Sequence, residues 1–361
     1  MTQSRPATGT RLFLSAVFVL FMGGVGWAAA RFLTVPAPPV PAIVSQAPAP
    51  SAAPTAIVDP LAPDRPAEFD AAPRAAASGD WVKARPAFQY SRASEERAGV
   101  NPCAMPGADL SGFEVWSGLS KGRYTLPREG AFDATGGFDL VFHFHGDELA
   151  KRELIESGEK FVLYGLTLDP SESYAPLFSG TKLFSSLIAQ IEQLLSASHG
   201  SPVHVRHVAL SAWSAGYMGV LATLVQPEAK DVEGVILIDG LHGPRGGLEH
   251  QLAPFVEYAR RASTGERFFL VTHSSIDPPN FASTSEASHY LLSALGAKPE
   301  AVKREDGFGL ELVEYFTRGE FHVRGYAGND KADHCAQVTL LRSAYKALGK
   351  RFRAAGTKAS P

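Results

Sequence analysis

Ser214, His334 and two aspartates, Asp239 and Asp277, are the side chains of this sequence whose types and order suit acyl transfer. A serine hydroxyl is a weak nucleophile until a base takes its proton, and the base works best when an acid orients it. Ser214 stands in Ala212-Trp213-Ser214-Ala215-Gly216, with a small residue two positions to each side. Small neighbours let a strand turn sharply into a helix with the serine at the apex, because the two backbones pass close together. The usual pattern has glycine at both flanking positions, so Ala212 is a departure. A competing chemistry is metal ligation by His143, His145 and Asp147. On a strand, His143 and His145 face the same side and could share an ion. Three ligands without a completing fourth are a weak signal.

These groups need elements that deliver them to one place. Apolar, strand-like runs cover residues 138–146, 160–168, 203–211, 232–240, 267–273 and 321–327. Residues 113–124 read as an opening hairpin. Between the strands, residues 183–196, 217–225, 248–261 and 333–352 carry helical patterns. Ser283 and Glu286 form a capping box for one more helix, closed at Gly296. Strands without alternation, separated by helices, predict an α/β fold: a mostly parallel central sheet with helices on both faces. Ligands of such sheets bind beyond the carboxyl ends of the strands. There the strands deliver His145, Gly146 and Asp147; then Ser214; then Asp239 and, shortly after, His242; then His273, with Asp277 beyond it; and last His334. Asp330 and Asp333 read as solvated or capping residues of the last helix. The span from Gly240 to Arg267 holds one crossover helix, so little or no cap is expected. The loop of residues 169–181, with Tyr174 and Phe178, is the expected lid or specificity wall. No Gly-x-Gly-x-x-Gly or Walker loop follows a strand, so nucleotide binding lacks its signature.

With this elbow and this order of residues, the chain resembles the α/β-hydrolase superfamily of serine hydrolases, esterases and lipases among them, over residues 138–352; no subfamily is singled out. The resemblance implies Ser214 as nucleophile and His334 as general base. His145-Gly146 matches the His-Gly turn that bears the oxyanion hole, which implies backbone donors from Ala215 and from Gly146 or Asp147. Superfamily members usually place the acid where Asp277 stands; a variant places it at Asp239. Asp239 is preferred, because it sits directly at a strand end and rigid elements aim side chains best. His145, His242, Trp213 and Tyr174 are expected to line the substrate site. The implied reaction is hydrolysis of an ester, thioester or amide, a carboxylic ester first, with no cofactor. Two alternatives stay open. One is a metal-dependent hydrolase using His143, His145 and Asp147, whose spacing resembles the metallo-β-lactamase superfamily; Glu148 stands where that superfamily continues with histidine. The other is an inactive domain that keeps the fold for binding.

The 361 residues are 45% hydrophobic and 20% charged with net charge -3, ordinary globular values that give no electrostatic case for nucleic acid. Arg5 and Arg11 precede an apolar run over residues 12–30, and Arg31 follows. The run has the length of a membrane span, and Ala28-Ala29-Ala30 could serve as a signal cleavage site. Residues 1–34 are therefore expected to be a signal anchor or signal peptide. Residues 35–95, rich in Pro and Ala, read as a disordered linker. Residues 96–354 form the hydrolase-like domain, and residues 355–361 a disordered tail. This organisation predicts export: a domain anchored in the membrane and facing the periplasm or cell exterior, or secreted after cleavage, acting on a small or envelope-derived acyl substrate. In an oxidising compartment Cys103 and Cys335 could pair; otherwise they are buried thiols. Nothing in the sequence fixes an oligomeric state.

Overall fold

The computed structural model describes residues 110–168, 173–180, 182–306 and 309–358. The expected signal segment, the linker and Cys103 lie outside the described residues. Among the described residues no helix is long and apolar enough to cross a membrane.

The strands are β1 (Ser117–Gly118), β2 (Arg123–Thr125), β3 (Gly137–Phe144), β4 (Val162–Leu166), β5 (His204–Trp213), β6 (Val232–Ile238), β7 (Phe268–His273), β8 (Glu300–Asp306), β9 (Leu310–Arg318) and β10 (Phe321–Tyr326). They form one sheet in the order β1-β2-β4-β3-β5-β6-β7-β10-β9-β8. From β4 through β10 all neighbours are parallel. Both edges are antiparallel: β1 and β2 on one side, β9 and β8 on the other. The sheet is thus mixed rather than simply parallel. The helices are α1 (Asp147–Ser157), α2 (Tyr174–Phe178), α3 (Leu183–His199), α4 (Tyr217–Leu224), α5 (Leu248–Ser263), α6 (Thr284–Ala294), α7 (Lys331–Ala336) and α8 (Leu341–Lys358).

Alternate strand residues feed two separate cores, which is why the strands read as unbroken apolar runs. Phe138, Leu140, Phe142 and Phe144 of β3 pack with Leu187 and Ile191 of α3 and with Leu252 and Phe255 of α5. Val141 of β3 turns to the opposite face, with Leu154 of α1 and Tyr345 and Leu348 of α8. The order in which strands are added reverses at β3: β4 lies on one side of it and β5 on the other. The carboxyl ends of β3 and β5 therefore flank the crevice where such sheets hold ligands.

One element goes unread in the sequence, and two expectations need correction. The hairpin of β8 and β9 is not legible as strands in the sequence, because its burial is mostly partial and its charges frequent. The last helix is divided: α7 begins at Lys331, a tight helical turn spans Gln337–Leu340, and α8 continues to Lys358, past the expected boundary at 354. Tyr174 and Phe178 are fully buried, so they are core residues and not the wall of a lid. Tyr174 accepts from Leu168 N at 2.8 Å, donates to Leu166 O at 3.1 Å, and packs edge-on against Phe144.

Candidate active site

β5 ends at Trp213, Ser214–Gly216 form a tight helical turn, and α4 follows. Ser214 has φ 52, a left-handed conformation that costs a side-chain-bearing residue about 1–2 kcal/mol. His145 (φ 70) and Asp239 (φ 41) share this conformation, at the ends of β3 and β6. Strain at three neighbouring strand ends is characteristic of sites where side-chain aim matters more than local comfort. Close approach explains the small residues. A Cβ on Gly216 would lie 1.9 Å from Phe144 O, and one on Gly240 would lie 2.3 Å from Ser214 O. The turn at Ser214 is thereby wedged between the ends of β3 and β6.

Two sequence-predicted groups meet through one short bond: His334 Nδ1 lies 2.7 Å from Asp239 Oδ2. Asp239 is 1% exposed, and its other oxygen accepts from Ser274 N at 2.8 Å and Thr284 Oγ1 at 2.7 Å. Burial opposes its charge. Hydrogen bonds from His334, Thr284 and the Ser274 N–H nonetheless hold its carboxyl below the ordinary range. The carboxylate fixes the Nδ1–H tautomer, which leaves His334 Nε2 with the lone pair a base needs. Asp277 stands elsewhere: half exposed, 2.9 Å from Arg245. Asp330 and Asp333 form a reciprocal capping box at the start of α7, the helix that carries His334. No hydrogen bond joins the Ser214 hydroxyl to His334 among the described residues.

Trp213, expected beside the substrate, contacts both sides of the site. Its ring stacks on His334 at 5.0 Å, its Nε1 donates to His334 O at 3.2 Å, and it lies 5.5 Å from the His145 ring. His242 is half-buried between Tyr217 and Phe281, at 5.8 and 5.0 Å, and burial lowers its pKa.

The expected oxyanion donors divide. Ala215 lies in the turn after Ser214, where helix starts leave N–H groups without intrahelical acceptors. Gly146 N and Asp147 N instead donate to Thr167 Oγ1, at 3.0 and 3.4 Å, so this turn does not offer them to a substrate. The left-handed His145-Gly146 pair bends these amides back towards the end of β4.

The proposed metal ligands do not converge. His143 is fully buried, its Nδ1 2.9 Å from Ser211 Oγ and its Nε2 2.9 Å from His145 O. Both ring nitrogens are engaged, and burial lowers its pKa to about 4, so it is a neutral strut under the His145 turn. Asp147 accepts from Arg123 Nε and Thr167 Oγ1, both at 2.7 Å. Cys335 is buried and disulfide-bonded.

Sequence reasoning missed Thr284, Ser274, Thr167 and His143 as supports. Thr284 had a signal, its place directly after the capping Ser283; the others act through contacts across strands that spacing does not reveal.

No family model and no curated protein matches this chain. Among solved structures it is similar to an uncharacterised protein from Capnocytophaga ochracea, at 9% identity and TM-score 0.40, covering 64% of each chain. It is similar to a thermostable esterase at 12% identity and TM-score 0.40, covering 66% of this chain and 62% of that one. It is also similar to a mutant feruloyl esterase module from Clostridium thermocellum complexed with sinapinate, at 10% identity and TM-score 0.38, covering 67% and 91%. The chain spans less than two thirds of the length of the first two. Likenesses this distant add nothing to the site geometry.

Proposed function

We propose that this chain is a serine hydrolase of the α/β-hydrolase superfamily that cleaves a carboxylic ester through an acyl-enzyme on Ser214. One observation carries the reading: a serine held at positive φ on a strand-to-helix turn, with His334 hung 2.7 Å from the buried Asp239 at the neighbouring strand end. In this scheme Ser214 Oγ attacks the ester carbonyl while His334 Nε2 takes its proton. Asp239 stabilises the imidazolium without taking the proton itself. The Ala215 N–H stabilises the developing oxyanion. Collapse expels the alcohol, which leaves with the proton from His334. Water, activated by the same nitrogen, then releases the acid. In this scheme the Ser214–His334 hydrogen bond forms as substrate seats, since catalytic hydrogen bonds often tighten only in the substrate complex.

A fluorophosphonate probe tests this directly. The purified full-length protein should label at one site and Ser214→Ala should not; equal labelling of both proteins sinks the proposal. A second reading, a hydrolase-fold domain that binds without turnover, is favoured by the Thr167 hydroxyl holding the Gly146 and Asp147 amides. It requires absent labelling in a folded wild type.

Substrate and placement belong to the same proposal. β6 and β7 are joined through a single helix, α5, which supports short or medium acyl chains. A panel of p-nitrophenyl esters checks this, and a strong preference for long chains refutes it. Residues 1–95 support export and tethering, with an envelope acyl group as substrate. Protection of the folded domain from protease added to spheroplasts would refute an outward-facing domain.

A further inference from the structure

A second group of side chains gathers on β7, β9 and α6. His273 of β7, Gly325 of β10 and Glu314 of β9 stand in register across three adjacent strands. Gly325 has no side chain in the middle of this row. A Cβ there would lie 2.4 Å from His273 Cε1 and 2.5 Å from Glu314 Cγ. The two flanking side chains therefore close over bare backbone and meet. His273 Nε2 lies 2.8 Å from Glu314 Oε1. His289, from the middle of α6, brings its own Nε2 to 2.6 Å from the same oxygen. One ligand atom from each of the three residues lies within 4.8 Å of the others.

The hydrogen count at His273 calls for a positive charge beside Glu314, and the second imidazole on the same oxygen gives that charge three ligand atoms. Its Nδ1 lies 3.3 Å from Ser274 O, and a carbonyl oxygen only accepts, so Nδ1 carries the hydrogen. In the neutral ring Nε2 then has a bare lone pair, facing a carboxylate oxygen from a position that is 97% buried and makes no well-directed hydrogen bond. Lone pair against carboxylate is repulsive, so the contact needs a positive charge at Nε2. That charge is either a proton, which burial opposes and Glu314 favours, or a metal ion. A metal ion uses the lone pair directly and suits a contact that is not well directed for a hydrogen bond. Metal-bound histidines commonly anchor the other ring nitrogen on a backbone carbonyl in this way. Two imidazoles and one carboxylate are a common protein ligand set for zinc, with a solvent molecule fourth.

We propose that His273 Nε2, His289 Nε2 and Glu314 bind a divalent transition-metal cation of the zinc class. Bonds of about 2.0–2.1 Å at tetrahedral angles set ligand atoms about 3.3 Å apart, so the side chains spread by about half an ångström on binding. His289 is half exposed and gives the ion its way in. The site ties β7, α6 and β9 together, and two of these elements also hold Asp239. Ser274, next to His273, and Thr284, the first residue of α6, both hydrogen-bond its carboxylate. The ion is a brace for the acid's surroundings and lies outside the reacting atoms.

The test uses the full-length protein purified without a polyhistidine tag and stripped with a chelator. Titration with Co2+ should give tetrahedral visible absorption bands that saturate at one equivalent per chain, and Zn2+ should displace them. Saturating Zn2+ should raise the melting temperature of the wild type. His289→Gln, on the half-exposed side, and Glu314→Gln should each weaken Co2+ binding at least tenfold. Ser214→Ala should bind as the wild type does, which separates this site from the hydrolase proposal. Absent Co2+ bands together with an unmoved melting temperature in the wild type overturn the proposal. So does binding that both glutamine variants leave intact.

Discussion

Asp239→Asn tests the proposed orienting acid with almost no change in shape. The Asn carbonyl can still accept from Ser274 N and Thr284 Oγ1, which lie 2.8 and 2.7 Å from Asp239 Oδ1. Its amide then occupies the place of Oδ2, 2.7 Å from His334 Nδ1. An N–H facing that nitrogen requires Nδ1 to accept, which moves the ring hydrogen to Nε2. The nitrogen that should take the Ser214 proton then has no lone pair. A wrong tautomer of this kind costs about 10⁴ in kcat, or about 5.5 kcal/mol of transition-state stabilisation. The fold should persist, because two of the three hydrogen bonds remain unchanged and the third is kept with its direction reversed. Asp277→Asn is the matched control: that side chain is 50% exposed and its pairing with Arg245 is a surface ion pair, worth at most about 1 kcal/mol of stability. Hydrolysis of p-nitrophenyl butyrate, with thermal melting of each variant, reads both effects. Asp239→Asn should retain about one part in 10⁴ of kcat, and Asp277→Asn should stay within about twofold. Asp239 is not the orienting acid if Asp239→Asn stays within tenfold of the wild type while folded, or if Asp277→Asn loses as much.

Gly216→Ala would set a Cβ 1.9 Å from Phe144 O, so the elbow or β3 must shift. Overpacking of this kind should cost about 3 kcal/mol by urea denaturation, and an unchanged midpoint would show that the wedge is not there. Trp213→Phe keeps a ring against His334 but removes the Nε1 donor to His334 O. Loss of one such hydrogen bond, about 1 kcal/mol, should lower kcat about fivefold with KM little changed, and an effect confined to KM contradicts a positioning role. The buried neutral His143 gives a pH dependence: its folded pKa is about 4 against an ordinary 6.5. Between these values the unfolded chain binds more protons than the folded one, so stability falls as pH drops from 6.5 to 4, by about 3 kcal/mol from this residue alone. His322, lowered to about 3 by burial, acts in the same direction. Equal urea midpoints at pH 6.5 and 4.5 would contradict buried neutral histidines.

What the sequence determined by itself is local. Unbroken apolar runs from Phe138, Val232 and Phe268 give buried strands, because both sheet faces are covered and no alternation is needed. Ala212 to Gly216 gives the turn, because small residues are what close backbones require. The Ser283 and Asp330 caps are legible because they act within four residues. The tertiary structure decided everything that depends on which strands become neighbours. It paired His334 with Asp239, 95 residues earlier, and left Asp277 on the surface, a choice that spacing poses without answering. It gave the Gly146 and Asp147 amides to Thr167 on the adjacent strand and buried Tyr174 in the core. It brought His273 and Glu314 together across Gly325, three residues whose separations in sequence carry no pattern. Periodicity encodes which face of an element is covered; lateral order in the sheet is set by packing between distant segments, and it is that order which aims side chains at one another.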